Sequence, residues 1–154
     1  MEPMEIKNGI LAALAAVGAF IANQLGGWDT AMVLLAGLMV ADYITGVLLA
    51  AIWQKSTKSA SGALSSVAGF KGLIKKGMIL LMVWVAHLLD LALGIDYVRM
   101  MVVLFFCGNE GLSLLENLGL MGVPYPEFIH KMLEALKDKG DAGQKIPGDM
   151  EAEE

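Results

Sequence analysis

The segment Phe105-Phe-Cys-Gly-Asn-Glu-Gly-Leu-Ser-Leu-Leu-Glu-Asn117 decides the fold, because it is an apolar run that carries polar groups at regular intervals. On a helix at about 100° per residue, its polar side chains fall within an arc of roughly 120°. These side chains are Asn109, Glu110, Ser113, Glu116 and Asn117. Lipid cannot solvate such a stripe. It must therefore line a pore, facing water, or form interhelical hydrogen bonds.

The composition predicts an all-α integral membrane protein. Of 154 residues, 56% are hydrophobic, and between residues 9 and 54 only Asp29 and Asp42 are charged. The mean hydropathy of +0.63 fits several membrane spans. The net charge of −5 comes largely from the last residues, and no basic patch with interleaved aromatics suggests nucleic-acid binding.

The apolar runs divide the chain into a polar leader (residues 1–8), a membrane domain (9–118), a break with an amphipathic helix (119–138) and a disordered acidic tail (139–154). The expected spans are residues 9–25, 31–53, 77–94 and 97–118. Residues 9–25 are rich in alanine and glycine, so they either span the membrane or lie at its surface. Three to four spans are therefore expected.

A basic connector follows the second span and orients the protein. Its lysines are Lys55, Lys58, Lys71, Lys75 and Lys76, around a Ser/Ala/Gly-rich centre that indicates a flexible loop or a short surface helix. The positive-inside rule places this connector in the cytoplasm, and with four spans both termini lie there. The amphipathic helix after Pro126 then either lies on the inner membrane surface or bundles with its copies in an oligomer.

Several polar residues inside the spans need partners. Asp90 and Arg99 flank the turn at Gly94 at similar distances, which predicts an ion pair, with snorkelling of Arg99 to headgroups as the alternative. Glu110 lies near the expected depth of Lys75 and Lys76, so it is either neutralised by them or protonated.

Asp42 has no obvious basic partner in the sequence. Together with Thr45 and Gly46 it indicates a helix-packing polar site, with hydrogen bonds to Thr45, to Asn109 or to another copy.

The sequence gives little sign of catalysis or of a cofactor. His87 has no second histidine or cysteine nearby, which argues against a metal site. No nucleophile–base constellation or glycine-rich phosphate loop is present. We therefore expect a protein that is not an enzyme and uses no cofactor.

Four short motifs together resemble the phage lysis and toxin-secretion holin family. They are Asp42-Tyr-Ile-Thr-Gly46, Gly72-Leu-Ile-Lys-Lys76, Asn109-Glu-Gly-Leu-Ser-Leu-Leu-Glu-Asn117 and Gly122-Val-Pro-Tyr-Pro126. The resemblance covers about residues 28–137, although the basic connector is longer here than in the family pattern.

The resemblance implies a bacterial cytoplasmic-membrane protein that forms homo-oligomers and opens a pore. An endolysin, causing host cell lysis, or a toxin without a signal peptide would be the passenger. Two other classes stay open from the residues alone. One is a small ion- or proton-coupled transporter that titrates Asp42 or Glu110, and the other is a membrane adaptor that recruits a partner through its C-terminal helix.

Overall fold

The computed structural model describes residues 3–142, and this part of the chain consists of helices joined by short connections. The helices are α1 (Pro3–Gln24), α2 (Thr30–Leu48), α3 (Ser66–Leu93), α4 (Val98–Met121) and α5 (Glu127–Ala142). The all-helical fold class is confirmed. Four helices are long and apolar enough to cross a membrane: Met4–Gln24, Thr30–Trp53, Ser66–Leu93 and Val98–Met121. The protein is thus a multi-pass membrane protein.

Local sequence signals set the helix ends. The Asp29 carboxylate caps α2 by accepting a hydrogen bond from the Met32 amide at 2.9 Å, and the Ser65 hydroxyl caps α3. Gly94 and Gly122 end α3 and α4 in the left-handed conformation, at φ of 66° and 82°. The final turn of the second span widens to a π-helix over Leu49–Trp53.

The third span is longer than the sequence predicts, because α3 begins at Ser66 rather than near residue 77. The second half of the basic connector is therefore the first part of a spanning helix. The leader is also helical from Pro3. Of the expected acidic tail, residues 139–142 end α5, and residues 143–154 lie outside the described part of the chain.

The core lies where α2, α3 and α4 meet. Met32 and Leu35 of α2, Val83 of α3, and Val103 and Cys107 of α4 are fully buried there. In contrast, none of the spanning window of α1 is buried within the chain. The helix is present as expected, and its apolar surface lies free of the bundle.

The amphipathic helix α5 is present, but its position differs from both expected arrangements. It packs antiparallel along α4 of the same chain, in the most extensive contact between any two of the described helices. Gly108 permits this, since a Cβ atom there would lie 2.6 Å from the Leu133 carbonyl oxygen and 2.6 Å from the Lys137 amide. Gly140 contacts the backbone of Met101 and Phe105 at the other end of the interface. Glycines at these points let the two backbones touch, which a surface helix would not require.

Candidate functional site: a buried polar cluster and an adjoining groove

A cluster of charged and polar side chains lies buried between α2, α3 and α4. We call it the polar cluster; it comprises Asp42, Lys76, Glu110, Ser113 and Asn117. The Glu110 side chain is fully buried, and Asp42, Lys76 and Asn117 are each less than a tenth exposed. The α4 stripe and the mid-span acid of α2 therefore meet in one site.

Lys76 is the centre of the polar cluster because its ammonium group joins two carboxylates from different helices. Its Nζ lies 2.8 Å from Asp42 Oδ2 and also bonds to Glu110 Oε2. Lys58, from the connector, approaches Asp42 Oδ1 to 3.3 Å, and Lys75 Nζ lies 3.3 Å from Glu110 Oε1. Three lysines thus face two carboxylates, so each buried acid has cationic partners on neighbouring segments.

Neutral donors complete the shell around Asp42. The Ser113 hydroxyl donates to Oδ1 at 2.7 Å, and the Asn117 amide donates to the same oxygen at 3.1 Å. Asn117 also donates to the Thr45 hydroxyl at 3.1 Å, while Thr45 donates to the Ala41 carbonyl of its own helix at 2.8 Å. Gly46 contacts the Asn117 amide group closely enough that a Cβ would lie 3.6 Å from it.

These contacts divide the α4 stripe into two parts. Glu110, Ser113 and Asn117 make interhelical contacts in the polar cluster, so Glu110 is not a water-facing residue in this arrangement. Asn109 and Glu116 instead border a groove of about 470 Å³ between α3, α4 and α5. Its lining also includes Lys75, Leu112, Ser113, Tyr125, His130 and Lys137.

The predicted side-chain ion pair between Asp90 and Arg99 is wrong. The Asp90 carboxylate accepts hydrogen bonds from the Val98 and Arg99 amides at 2.9 and 3.0 Å, and so caps the start of α4. These amides lack hydrogen-bond partners within their own helix, so the Asp90 carboxylate accepts from them. The Arg99 guanidinium binds other groups.

The Arg99 guanidinium holds the turn between α1 and α2. It donates to the Leu25 and Gly27 carbonyls and forms an ion pair with Asp29 at 2.7 Å. Gly26, at φ of 79°, leaves room for this contact, since a Cβ would lie 2.7 Å from both Arg99 and His87. We call this arrangement the arginine clamp.

Asp29 lies outside the spans, and its ionisation reflects the clamp. Partial burial acts to raise the pKa of Asp29, but the hydrogen bond from Arg99, the Met32 amide and the positive charge of Arg99 outweigh it. The pKa is therefore lowered, and the carboxylate is charged at neutral pH.

Sequence reasoning missed the partners in three contacts. Arg99 pairs with Asp29, Asp42 pairs with Lys76 and Lys58, and α4 packs against α5. Lys55 and Lys71 of the connector are exposed. Among the described residues, no group of three or more histidine, cysteine or acidic side chains is placed to hold a metal ion.

Comparison with known proteins identifies relatives over most of the chain. The sequence model described as the bacteriophage holin family matches residues 19–138. An uncharacterized protein of Clostridium perfringens is 39% identical over 88% of this chain and 93% of its own length. An uncharacterized protein of Listeria innocua is 36% identical over 95% of this chain and 97% of its own.

A protein of Bacillus phage phi105 named "Probable holin" is 33% identical over 77% of this chain and 82% of its own length. No solved structure matches the chain.

Proposed function

Because the chain belongs to the bacteriophage holin family, we propose that it assembles with copies of itself in the bacterial cytoplasmic membrane and opens a pore through which a cytoplasmic endolysin or a signal-less toxin crosses. The observation that carries the proposal is the family match over residues 19–138, which includes α2, α3 and α4 in full and α5 up to residue 138.

The described geometry supports assembly of several copies. A single chain offers four spans, too few to surround a passage of protein width, so a wide pore requires a homo-oligomer. Large apolar side chains lie exposed along the spanning helices, among them Phe20, Val40 and Leu91. Such surfaces can meet either lipid or a neighbouring copy.

The orientation is part of the proposal. The basic connector carries Lys55 and Lys58, and the first turns of α3 carry Lys71. The positive-inside rule places this end of the bundle in the cytoplasm, and α4 then returns the chain to the same side. The end of α4 and the turn that leads into α5 are therefore proposed to be cytoplasmic.

Inducible expression in bacteria, with and without a cytoplasmic endolysin that lacks a signal sequence, tests the proposal. Membrane potential and culture density are followed over time. We expect abrupt depolarisation in both cultures and lysis only where the endolysin is present. Depolarisation without endolysin-dependent lysis would indicate a pore for ions alone.

A membrane-inserted protein that changes neither potential nor density would contradict the proposal. That result would favour the transporter or the adaptor.

A further inference from the structure

The packing of α5 along α4 places charged side chains at the depth of the membrane. Helix α5 has 16 residues and is therefore about 24 Å long, against a hydrocarbon thickness of about 30 Å. Its last turn contacts Met101 and Phe105, which lie in the first two turns of α4. Since α4 is a spanning helix, the docked α5 lies beside it through much of the bilayer.

Three faces of α5 meet three different environments. The face with Leu133 and Gly140 packs on α4, and an adjoining flank exposes Phe128 and Met132, each 59% accessible, with the exposed Lys139 on the same flank in the last turn. The third face is a charged stripe that lies exposed along the helix at spacings of four and three residues. It consists of Glu127, Lys131, Glu134, Asp138 and Asp141.

Lipid cannot surround this charged stripe. A single charged side chain is costly to place at the bilayer centre, and the stripe carries five. Within the stripe, one pair offsets part of this charge, because Lys131 Nζ lies 3.0 Å from Glu127 Oε1. Of the remaining acids, Glu134 lies 3.4 Å from His130 Nδ1. Asp138 and Asp141 form no ion pair within the described residues, so these acids require water at membrane depth.

The polar groove continues the charged stripe across the surface of the chain. His130 and Lys137 of α5 lie between the stripe and the groove, where they meet Asn109 and Glu116 of α4. Polar groups of α4 and α5 thus form one continuous polar surface, bordered on α5 by the exposed side chains Phe128 and Met132. A polar surface bordered by apolar side chains is suited to the wall of an aqueous channel.

We propose that the charged stripe of α5, together with Asn109 and Glu116, faces the aqueous lumen formed by copies of this chain, with α5 remaining docked on α4 while the pore is open. This inference rests on the proposed function. It assigns the lumen wall to a helix pair rather than to α4 alone, and it leaves Glu110 inside the polar cluster.

A disulfide bridge can hold α5 on α4 for the test. Leu133 Cγ lies 3.2 Å from the position that a Cβ on residue 111 would take, so sulfur atoms in the pair G111C and L133C can bond. The native Cys107 is first replaced in the variant C107A. Reporter cysteines are then D138C or E134C on the charged stripe, and M132C on the apolar flank as the matched control.

Cells expressing the bridged variants are oxidised and then triggered, and a membrane-impermeant maleimide is added outside once depolarisation has occurred. We expect the bridged protein to depolarise cells as the reduced protein does. We also expect D138C and E134C to react at least about tenfold faster than M132C, because only a hydrated thiol ionises and reacts readily.

Two results would overturn the inference. Depolarisation that occurs only after reduction of the bridge would mean that α5 must leave α4, and equal labelling of D138C and M132C would mean that the stripe has no special access to water. Failure of the proposed function would look different from both results. In that case neither the reduced variant nor the native protein would depolarise the cells.

Discussion

Lys76 and Asp42 form an ion pair of 2.8 Å between α3 and α2, and the same ammonium group bonds to Glu110 of α4. One side chain therefore links the three helices that form the core. All three residues are less than a tenth exposed, so each charge depends on the others for its solvation.

Replacement of Lys76 by methionine should destabilise the protein by about 3–5 kcal/mol, because it leaves two carboxylates buried without their shared cation. The free energy of unfolding in mixed micelles, followed by circular dichroism, measures the loss. Lys71→Met is the control, since that lysine is exposed on the same helix, and its effect should stay within about 0.5 kcal/mol.

The double variant K76M/E110Q separates charge from packing. It should be less destabilised than the sum of the two single variants, because removal of Glu110 also removes one of the carboxylates left without a cation. Additive effects would show that Lys76 acts through packing alone.

Replacement of Asn117 by leucine should cost about 1–3 kcal/mol of stability, since the amide donates to both Asp42 and Thr45 inside the bundle. Asn109→Leu, on the groove side of the same helix, should change the free energy of unfolding by about 0.5 kcal/mol or less. The same unfolding measurement compares the two variants. Equal losses would contradict the division of the α4 stripe.

Acid should weaken the arginine clamp. The pKa of Asp29 is lowered from its ordinary value of 3.8, partial burial being outweighed by the contacts with Arg99 and the Met32 amide. A lowered pKa in the folded state contributes stability that is complete above the ordinary value and is lost as pH falls below it toward the lowered one.

Thermal unfolding between pH 6 and pH 2.5 tests this dependence in the native protein and in D29N, in which the side chain can still cap α2. The melting temperature of the native protein should exceed that of D29N at pH 6, and the difference should shrink as pH falls below 3.8. A constant difference would mean that the contribution of Asp29 does not depend on its charge.

A larger residue at Gly108 should displace α5 from α4. A Cβ there would lie 2.6 Å from backbone atoms of Leu133 and Lys137, and overpacking of this kind costs about 1–3 kcal/mol, equivalent to about a 5- to 150-fold rise in opening of the docked helix. Trypsin cleavage of α5 in the purified protein, after Lys131 or Lys137, should accelerate by a factor in that range in G108L.

Gly37→Leu in α2 is the matched control for this experiment, because nothing lies within 4 Å of the position of its Cβ. It should leave the cleavage rate of α5 unchanged. If G108L and G37L are cleaved alike, α5 does not depend on the close contact at Gly108.

Sequence periodicity predicted the helices well because the physical signals are local. Each span is an apolar run bounded by glycine or by a capping residue such as Asp29, and α5 shows its amphipathic pattern over its whole length. The start of α3 was harder to predict, because the cap at Ser65 lies within a stretch of small residues that is equally typical of a loop.

The choice of partners could not be predicted in the same way. Arg99 has two acids within reach, Asp90 and Asp29, and the sequence does not reveal that the amides at the start of α4 occupy the first. The docking of α5 depends on glycines of each helix facing larger residues of the other, Gly108 and Gly111 against Leu133, and Gly140 against Phe105. Hydrophobic periodicity within one segment does not reveal such a relation between distant segments.

The three-residue ion network also has a consequence for biosynthesis. Asp42 is translated 34 residues before Lys76, and Lys76 is translated 34 residues before Glu110. At about 5–20 residues per second, each interval of 34 residues takes about two to seven seconds, and Lys58, the exposed partner of Asp42, follows it by 16 residues. The second span therefore emerges from the ribosome with an uncompensated acid, and it becomes fully compatible with lipid only as the following helices enter the membrane beside it.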